Sequence, residues 1–296
     1  MKKTSLLLCS VSVLGGLAYG ADWGTYDKLS KLCEQGNHFA CAHLGDILAR
    51  GDGIPQSWED ANYWWKGACE LGSVESCLKL GLSYAQGRGV AQSWERADEL
   101  WEKACREGAC DGCFNLGLNL AQGRGVAPSW ERANTLWQEG CELGSVESCL
   151  KLGLSYAQGR GVAQSWERAD ELWEKACQQG ASDGCFNLGL NYAQGRGVAE
   201  SWERANTLWD EGCALGSVES CFNLGLSYAA GLGVAQSWER ANELWKKACA
   251  LEFSGGCYNL GLAYAAGLGV AQDKSKAKAL WTKACDLGHS EACSKK

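Results

Sequence analysis

An all-α solenoid of 36-residue repeats is the fold class this sequence predicts, and three observations carry the prediction. Cysteine recurs every 36 residues, at Cys33, Cys69, Cys105, Cys141, Cys177, Cys213, Cys249 and Cys285, and each is followed by a second cysteine eight positions later. Apolar residues between them fall at helical spacing, with glycines at fixed offsets. The stretch from Cys69 to Cys105 returns unchanged as Cys141 to Cys177. A fixed period in this range marks units that cannot bury their own apolar face and that stack into one continuous core.

The chain has 296 residues, and the unbroken period leaves no place for a domain boundary, so residues 21–296 read as one elongated domain. Before it, Lys2 and Lys3 lead into the apolar run Ser5 to Leu17 and the small residues of Ala18-Tyr19-Gly20, the pattern of a cleavable signal peptide over residues 1–20. That run is too short to span a bilayer well, and no later stretch approaches the roughly 20 apolar residues a spanning helix requires. Export implies a secreted or periplasmic protein. Cys9, inside the leader, follows three leucines rather than the small residues of a lipoprotein signal. Loss of the leader removes two lysines and no acids, taking the formal charge from -7 to -9. Such a surface repels phosphate backbones and argues against nucleic acid as a partner.

Within one repeat, Ser93 to Cys105 places Trp94, Ala97, Leu100, Trp101, Ala104 and Cys105 on one stripe of an amphipathic helix. Ser93 caps this helix, Glu95 suits the positive end of its dipole, and Gly108 ends it. The next helix, Cys113 to Gln122, aligns Cys113, Leu116, Gly117 and Leu120, and Gly123 and Gly125 stop it. A mid-helix glycine costs about 1 kcal/mol relative to alanine, yet Gly45, Gly81, Gly117, Gly153, Gly189, Gly225 and Gly261 all keep it. Close packing against the large residue of the partner helix accounts for this, that residue being Trp65, Trp101, Trp137, Trp173, Trp209, Trp245 or Trp281. The tryptophan row reads as core, with an aromatic sugar platform as the other reading.

This Leu-Gly helix, Gly-x-Gly-Val turn and Trp-Ala helix resembles the Sel-one-like variant of the tetratricopeptide repeat over the whole mature chain. The resemblance implies a right-handed α/α superhelix of seven helix pairs. A helix around Trp23 to Glu34 precedes them and a stub after Cys285 follows. Export makes disulfides the default for eight cysteine pairs: Cys33 with Cys41, Cys69 with Cys77, Cys105 with Cys113, Cys141 with Cys149, Cys177 with Cys185, Cys213 with Cys221, Cys249 with Cys257, and Cys285 with Cys293. Metal binding is the other reading. Sixteen thiols at this spacing with only three histidines do not resemble zinc ligation, and no metal or cofactor is expected. Cys110 is left over as a free thiol at a position where other repeats carry Val or Ser. It reads as a half-buried small residue, or as the site of a dimer bridge or a scrambled pairing with Cys105 or Cys113.

A signal peptide with a cysteine pair in every repeat is similar to the Helicobacter cysteine-rich protein family. The resemblance implies exported proteins that bind penicillin-type compounds, bear the name cysteine-rich beta-lactamases and interact with the host. The residues do not identify an enzyme. A serine route to beta-lactam hydrolysis needs Ser-x-x-Lys, Ser-Asp-Asn and Lys-Thr-Gly. The chain offers Ser275-Lys276-Ala277-Lys278 at a helix start, where a capping or solvated role is commoner, and Ser182-Asp183 without a third residue. His38, His43 and His289 form no dense ligand set.

Two rows remain as candidate binding surfaces. In tetratricopeptide arrays the first helix of each pair lines the concave face. There one flank carries Asp111, Phe114, Leu118 and Gln122, continued by Phe186 and Leu190, Phe222 and Leu226, and Tyr258 and Leu262. This ladder reads as contact between adjacent repeats, or as a groove for an extended peptide or another amide-rich ligand. Arg88, Arg124, Arg160 and Arg196 form the second row in the glycine turns, either solvated or holding carboxylates. The sequence therefore carries two functional expectations. One is a binding scaffold for peptide, cell-wall fragment, beta-lactam or host protein, and the other is a beta-lactam hydrolase with an unlocated site.

Overall fold

The computed structural model describes residues 22–295. Residues 1–20, read as the leader, lie outside them. The described residues form helices and turns only, in the order α1 (Trp23–Glu34), α2 (His38–Arg50), α3 (Trp58–Glu70), α4 (Val74–Gln86), α5 (Trp94–Arg106), α6 (Cys110–Gln122), α7 (Trp130–Glu142), α8 (Val146–Gln158), α9 (Trp166–Gln178), α10 (Ser182–Gln194), α11 (Trp202–Ala214), α12 (Val218–Ala230), α13 (Trp238–Ala250), α14 (Ser254–Ala266), α15 (Lys274–Asp286) and α16 (Ser290–Cys293). The described residues divide into two compact units, 22–155 with Arg160–Ala163, and Tyr156–Gly159 with 164–295.

Local sequence accounts for the ends of each helix. Ser93 accepts the Arg96 backbone N–H ahead of α5, and serines hold the same place ahead of α3, α7, α9, α11 and α13. Ahead of α15 the cap is Asp273, which accepts from the N–H groups of Ser275 and Lys276. Ser275 therefore sits exposed in the first turn and is not the cap. Helix α6 begins at Cys110, a turn earlier than its apolar stripe suggests, and ends where Gly123 takes a left-handed conformation, φ 65. A side chain there would meet the αL penalty of roughly 1–2 kcal/mol.

Packing in the first unit shows why glycine is tolerated inside α6. A Cβ on Gly117 would lie 2.6 Å from Nε1 of Trp137, whose indole is 1 % exposed. The bare backbone lets the ring lie flat on α6, and its N–H donates to the Phe114 carbonyl at 3.3 Å. The second unit repeats this arrangement with Gly189 against Trp209, whose N–H donates to the Phe186 carbonyl. Six of the seven tryptophans in this row are no more than 4 % exposed, so the row is core.

The eight expected disulfides are all present, each closing the loop between consecutive helices with Cα–Cα separations of 4.6–4.9 Å. Closing so short a loop contributes about 2–3 kcal/mol through chain entropy. Cys110 corrects the reading of a free thiol: it is itself disulfide-bonded, and no cysteine among the described residues is free. At 1 % exposure it faces the core at the start of α6, and Cys105 and Cys113 are bonded to each other. The scrambled pairing with Cys105 or Cys113 is therefore not present. Among the described residues no helix is long and apolar enough to cross a membrane.

Candidate functional site

From α4 onward, the first helix of each pair carries a leucine beside the core glycine. In the first unit this row is Leu82, Leu118 and Leu154, and in the second Leu190, Leu226 and Leu262. Leu82 is 46 % exposed and Leu154 and Leu226 are 39 %, high values for leucines on helices that otherwise bury their apolar residues. The aromatic half of the ladder behaves differently. Phe114, Phe186, Phe222 and Tyr258 are half-buried. Phe222 packs against Phe253 with ring centroids 5.1 Å apart, and Tyr258 stacks on His289 at 4.3 Å. The Phe222 and Tyr258 rings are thus engaged by later segments of the chain, whereas Leu82, Leu154 and Leu226 stay exposed and Leu118, Leu190 and Leu262 are half-buried. Asp111 and Gln122 are exposed at the two ends of α6. Desolvation, and secondarily the charge of Glu147, push the Asp111 carboxyl above the ordinary range.

The arginine row is exposed, yet it is not a set of free turn residues. Arg88, Arg124, Arg160 and Arg196 place their guanidinium carbons 5.1, 4.9, 5.0 and 5.1 Å from the ring centroids of Trp58, Trp94, Trp130 and Trp166. Each cation–π contact of this kind is worth about 0.5–1 kcal/mol at an exposed site. In the second unit, Leu232 and Leu268 end the row.

Beneath these turns lies a hydrogen-bond position that alternates between repeats. Asn62 donates to the Arg88 carbonyl at 2.6 Å, Asn134 to Arg160, Asn206 to Leu232 and Asn242 to Leu268. Where the residue is an aspartate, it accepts instead, Asp98 from Asn119 at 2.7 Å and Asp170 from Asn191 at 2.6 Å. Burial pushes the Asp170 carboxyl up to about 6, against the opposing hydrogen bond from Asn191, and pushes Asp98 in the same direction. Oδ2 of Asp170 is buried with no partner.

The first unit also holds a cluster absent from the expected site. Asp46 stands in the register where every later repeat has a leucine. It accepts from Trp65 Nε1 at 3.1 Å and from Lys79 Nζ at 2.7 and 2.9 Å, and Lys79 also pairs with Glu75 at 2.8 Å. Burial works against the Lys79 ammonium, but hydrogen bonds to Asp46 and Glu75 hold its pKa above the ordinary value. A cavity of about 300 Å³ opens over this pair, bounded by Trp58, Leu82, Ser83 and Arg88. The signal was available in the sequence as the one position where the leucine period fails. Two acids approach disulfides, Glu139 at Cys105–Cys113 and Glu211 at Cys177–Cys185. Their neighbouring sulfurs are bonded to each other and are not thiolate ligands.

Comparison with known proteins places this geometry. The family model described as Sel1 repeat matches residues 38–73, 74–108, 110–145, 146–180, 182–217, 218–253 and 254–289. The chain is similar to c5321, a protective antigen of uropathogenic Escherichia coli with an SLR fold, at 28 % identity and a TM-score of 0.83 over 90 % of this chain. It spans 57 % of that protein's length. It is similar to a Sel1 repeat protein of Oxalobacter formigenes at 27 % identity and a TM-score of 0.79, covering 93 % of this chain and 80 % of that one. Helicobacter pylori cysteine rich protein B is 27 % identical over 51 % of this chain and 96 % of its own, with a TM-score of 0.35. No curated protein matches the sequence.

Proposed function

Because the chain belongs to the Sel1 repeat family, whose scaffolds typically serve protein–protein interaction, we propose that it is an exported scaffold that binds peptide-like ligands along its first-helix faces. The exposure of Leu82, Leu154 and Leu226 carries this reading. Each leucine lies three residues after a polar residue of the same helix, Lys79, Lys151 or Asn223. Apolar contacts alternating with amide or ammonium groups suit an extended chain of amides, whose carbonyls accept and whose side chains fill the leucine steps. Peptides, peptide-bearing cell-wall fragments and beta-lactams share this chemistry, and a secreted or periplasmic location would bring the protein to them. The disulfides support an oxidising compartment.

Titration of the oxidised protein with a panel of peptides, cell-wall fragments and penicillins, followed by calorimetry and by a chromogenic cephalosporin assay, tests the proposal. Saturable binding without turnover is expected. Leu154→Asp, on an exposed side chain, should weaken it at least tenfold with the helical circular dichroism unchanged. Turnover that survives metal removal would instead establish a hydrolase, and unaltered affinity in Leu154→Asp and Leu226→Asp would remove the leucine face as the site.

A further inference from the structure

In the second unit, a groove runs over α14 between α13 and α15, and an equivalent groove runs over α12 between α11 and α13. Their linings correspond position by position at the 36-residue period, with the same apolar floor of a disulfide, a leucine and a tyrosine. Three charged positions differ. Asp210, Arg240 and Glu243 of the earlier groove become Lys246, Lys276 and Ala279 in the later one, while Lys247 is retained as Lys283. The change removes both acids, and the cavity grows from about 270 to about 460 Å³.

The consequence is local reversal of charge in an acidic chain. Residues 210–247 carry five acids and three basic residues, whereas 246–283 carry two acids and six lysines. In the earlier groove Glu243 approaches Arg240 at 4.0 Å and neutralises it. In the later one Lys276 keeps only the capping Asp273 of its own helix, at 3.5 Å, and lies 5.4 Å from the Tyr264 ring. Lys283 is held by the Cys249 carbonyl at 2.9 Å, which fixes its position without neutralising its charge. Lys246 is exposed with no ion pair among the described residues. Leu260 and Leu280 line the same cavity as the three lysines.

We propose that this groove binds a small amphipathic anion, an alkyl or aryl phosphate, sulfate or carboxylate. Its apolar part lies on Leu260, Tyr264 and Leu280, and its charge meets Lys246, Lys276 and Lys283. The volume falls within the range of small-molecule sites. A hydrophobic floor with convergent cations discriminates such a ligand from a bare anion, which gains nothing from the floor, and from a neutral alkane, which gains nothing from the lysines.

Calorimetric titration of the full oxidised chain with octyl phosphate, below its micelle concentration, tests this. One site per chain is expected, with inorganic phosphate and octanol binding at least tenfold more weakly. Lys246→Asp with Ala279→Glu restores the charges of the earlier groove at two exposed positions and should weaken binding at least tenfold. The reciprocal pair, Asp210→Lys with Glu243→Ala, should raise the stoichiometry to two. Unchanged affinity in the first double variant overturns the proposal, as does equal binding of inorganic phosphate. Sedimentation with phosphatidylglycerol vesicles separates the sources: capture by vesicles without binding of monomeric octyl phosphate would make a membrane surface the ligand and refute a small-molecule site.

Discussion

Asp170→Asn should stabilise the second unit at neutral pH and have almost no effect in acid. The Asp170 carboxyl is 6 % exposed and titrates at about 6 in the fold, against 3.8 for the unperturbed group. The folded state therefore holds a proton that the unfolded state has released between these values, so stability falls as pH rises through that window. At 1.36 kcal/mol per pKa unit, the shift amounts to about 3 kcal/mol of lost stability above pH 7, of which about 2 kcal/mol accrues between pH 4.5 and 7.5. Asparagine carries no charge to desolvate. It can also donate to the Arg196 carbonyl, as Asn62 and Asn134 donate to Arg88 and Arg160. Urea unfolding of wild type and variant at pH 3.5, 4.5 and 7.5 provides the measurement. The gap should be near zero at the lowest pH and about 3 kcal/mol at the highest. A gap independent of pH would show that Asp170 does not ionise with a raised pKa, and the reasoning from burial would fail.

Two further predictions concern backbone and packing. Glu252 has φ 63 where the equivalent loop position elsewhere is a left-handed glycine such as Gly216 or Gly288; Glu252→Gly should raise stability by about 1 kcal/mol, read as a shift in the urea midpoint. Gly117→Ala should destabilise the first unit by about 1–3 kcal/mol, since a Cβ 2.6 Å from the Trp137 indole overrides a propensity gain of roughly 1 kcal/mol. In Gly67→Ala, where a Cβ meets nothing within 4 Å, the propensity gain alone should appear. Equal effects in the two alanine variants would show that indole contact does not explain the helical glycines.

Much of this fold is legible in the sequence because its determinants are local and repeated. The eight-residue cysteine spacing fits consecutive helix ends, and the offset between Gly117 and Trp137 recurs in every pair. Properties set by contact between helices were less accessible. Glycines around Arg124 suggest a solvated turn, and only the stacked structure lays its guanidinium over Trp94. Cys110 resembles a spare thiol because the eight-residue spacing gives it no partner, whereas its bonding and its 1 % exposure are tertiary facts. Asp46 was visible as the break in the leucine period, but its meaning depends on Lys79 and Trp65 arriving from α4 and α3.

The alternation of Asn and Asp beneath the turns shows how a duplicated array acquires differences without disturbing its core. Asn62 and Asn134 act as donors to a turn carbonyl, with Ser83 and Ser155 at the position that Asn119 and Asn191 occupy beside Asp98 and Asp170. Each substitution is thus matched by another on the adjoining helix, so an amide donor remains at the site while the site gains a carboxylate. Asp170 bears the cost of this exchange in its raised pKa, because the matched asparagine satisfies Oδ1 and leaves Oδ2 buried without a partner. The same logic extends to the surface, where one groove keeps Asp210 and Glu243 and the next replaces them with Lys246 and Ala279. Variation is cheapest where side chains meet solvent or one neighbour, and that is where binding specificity can differ between otherwise equivalent repeats.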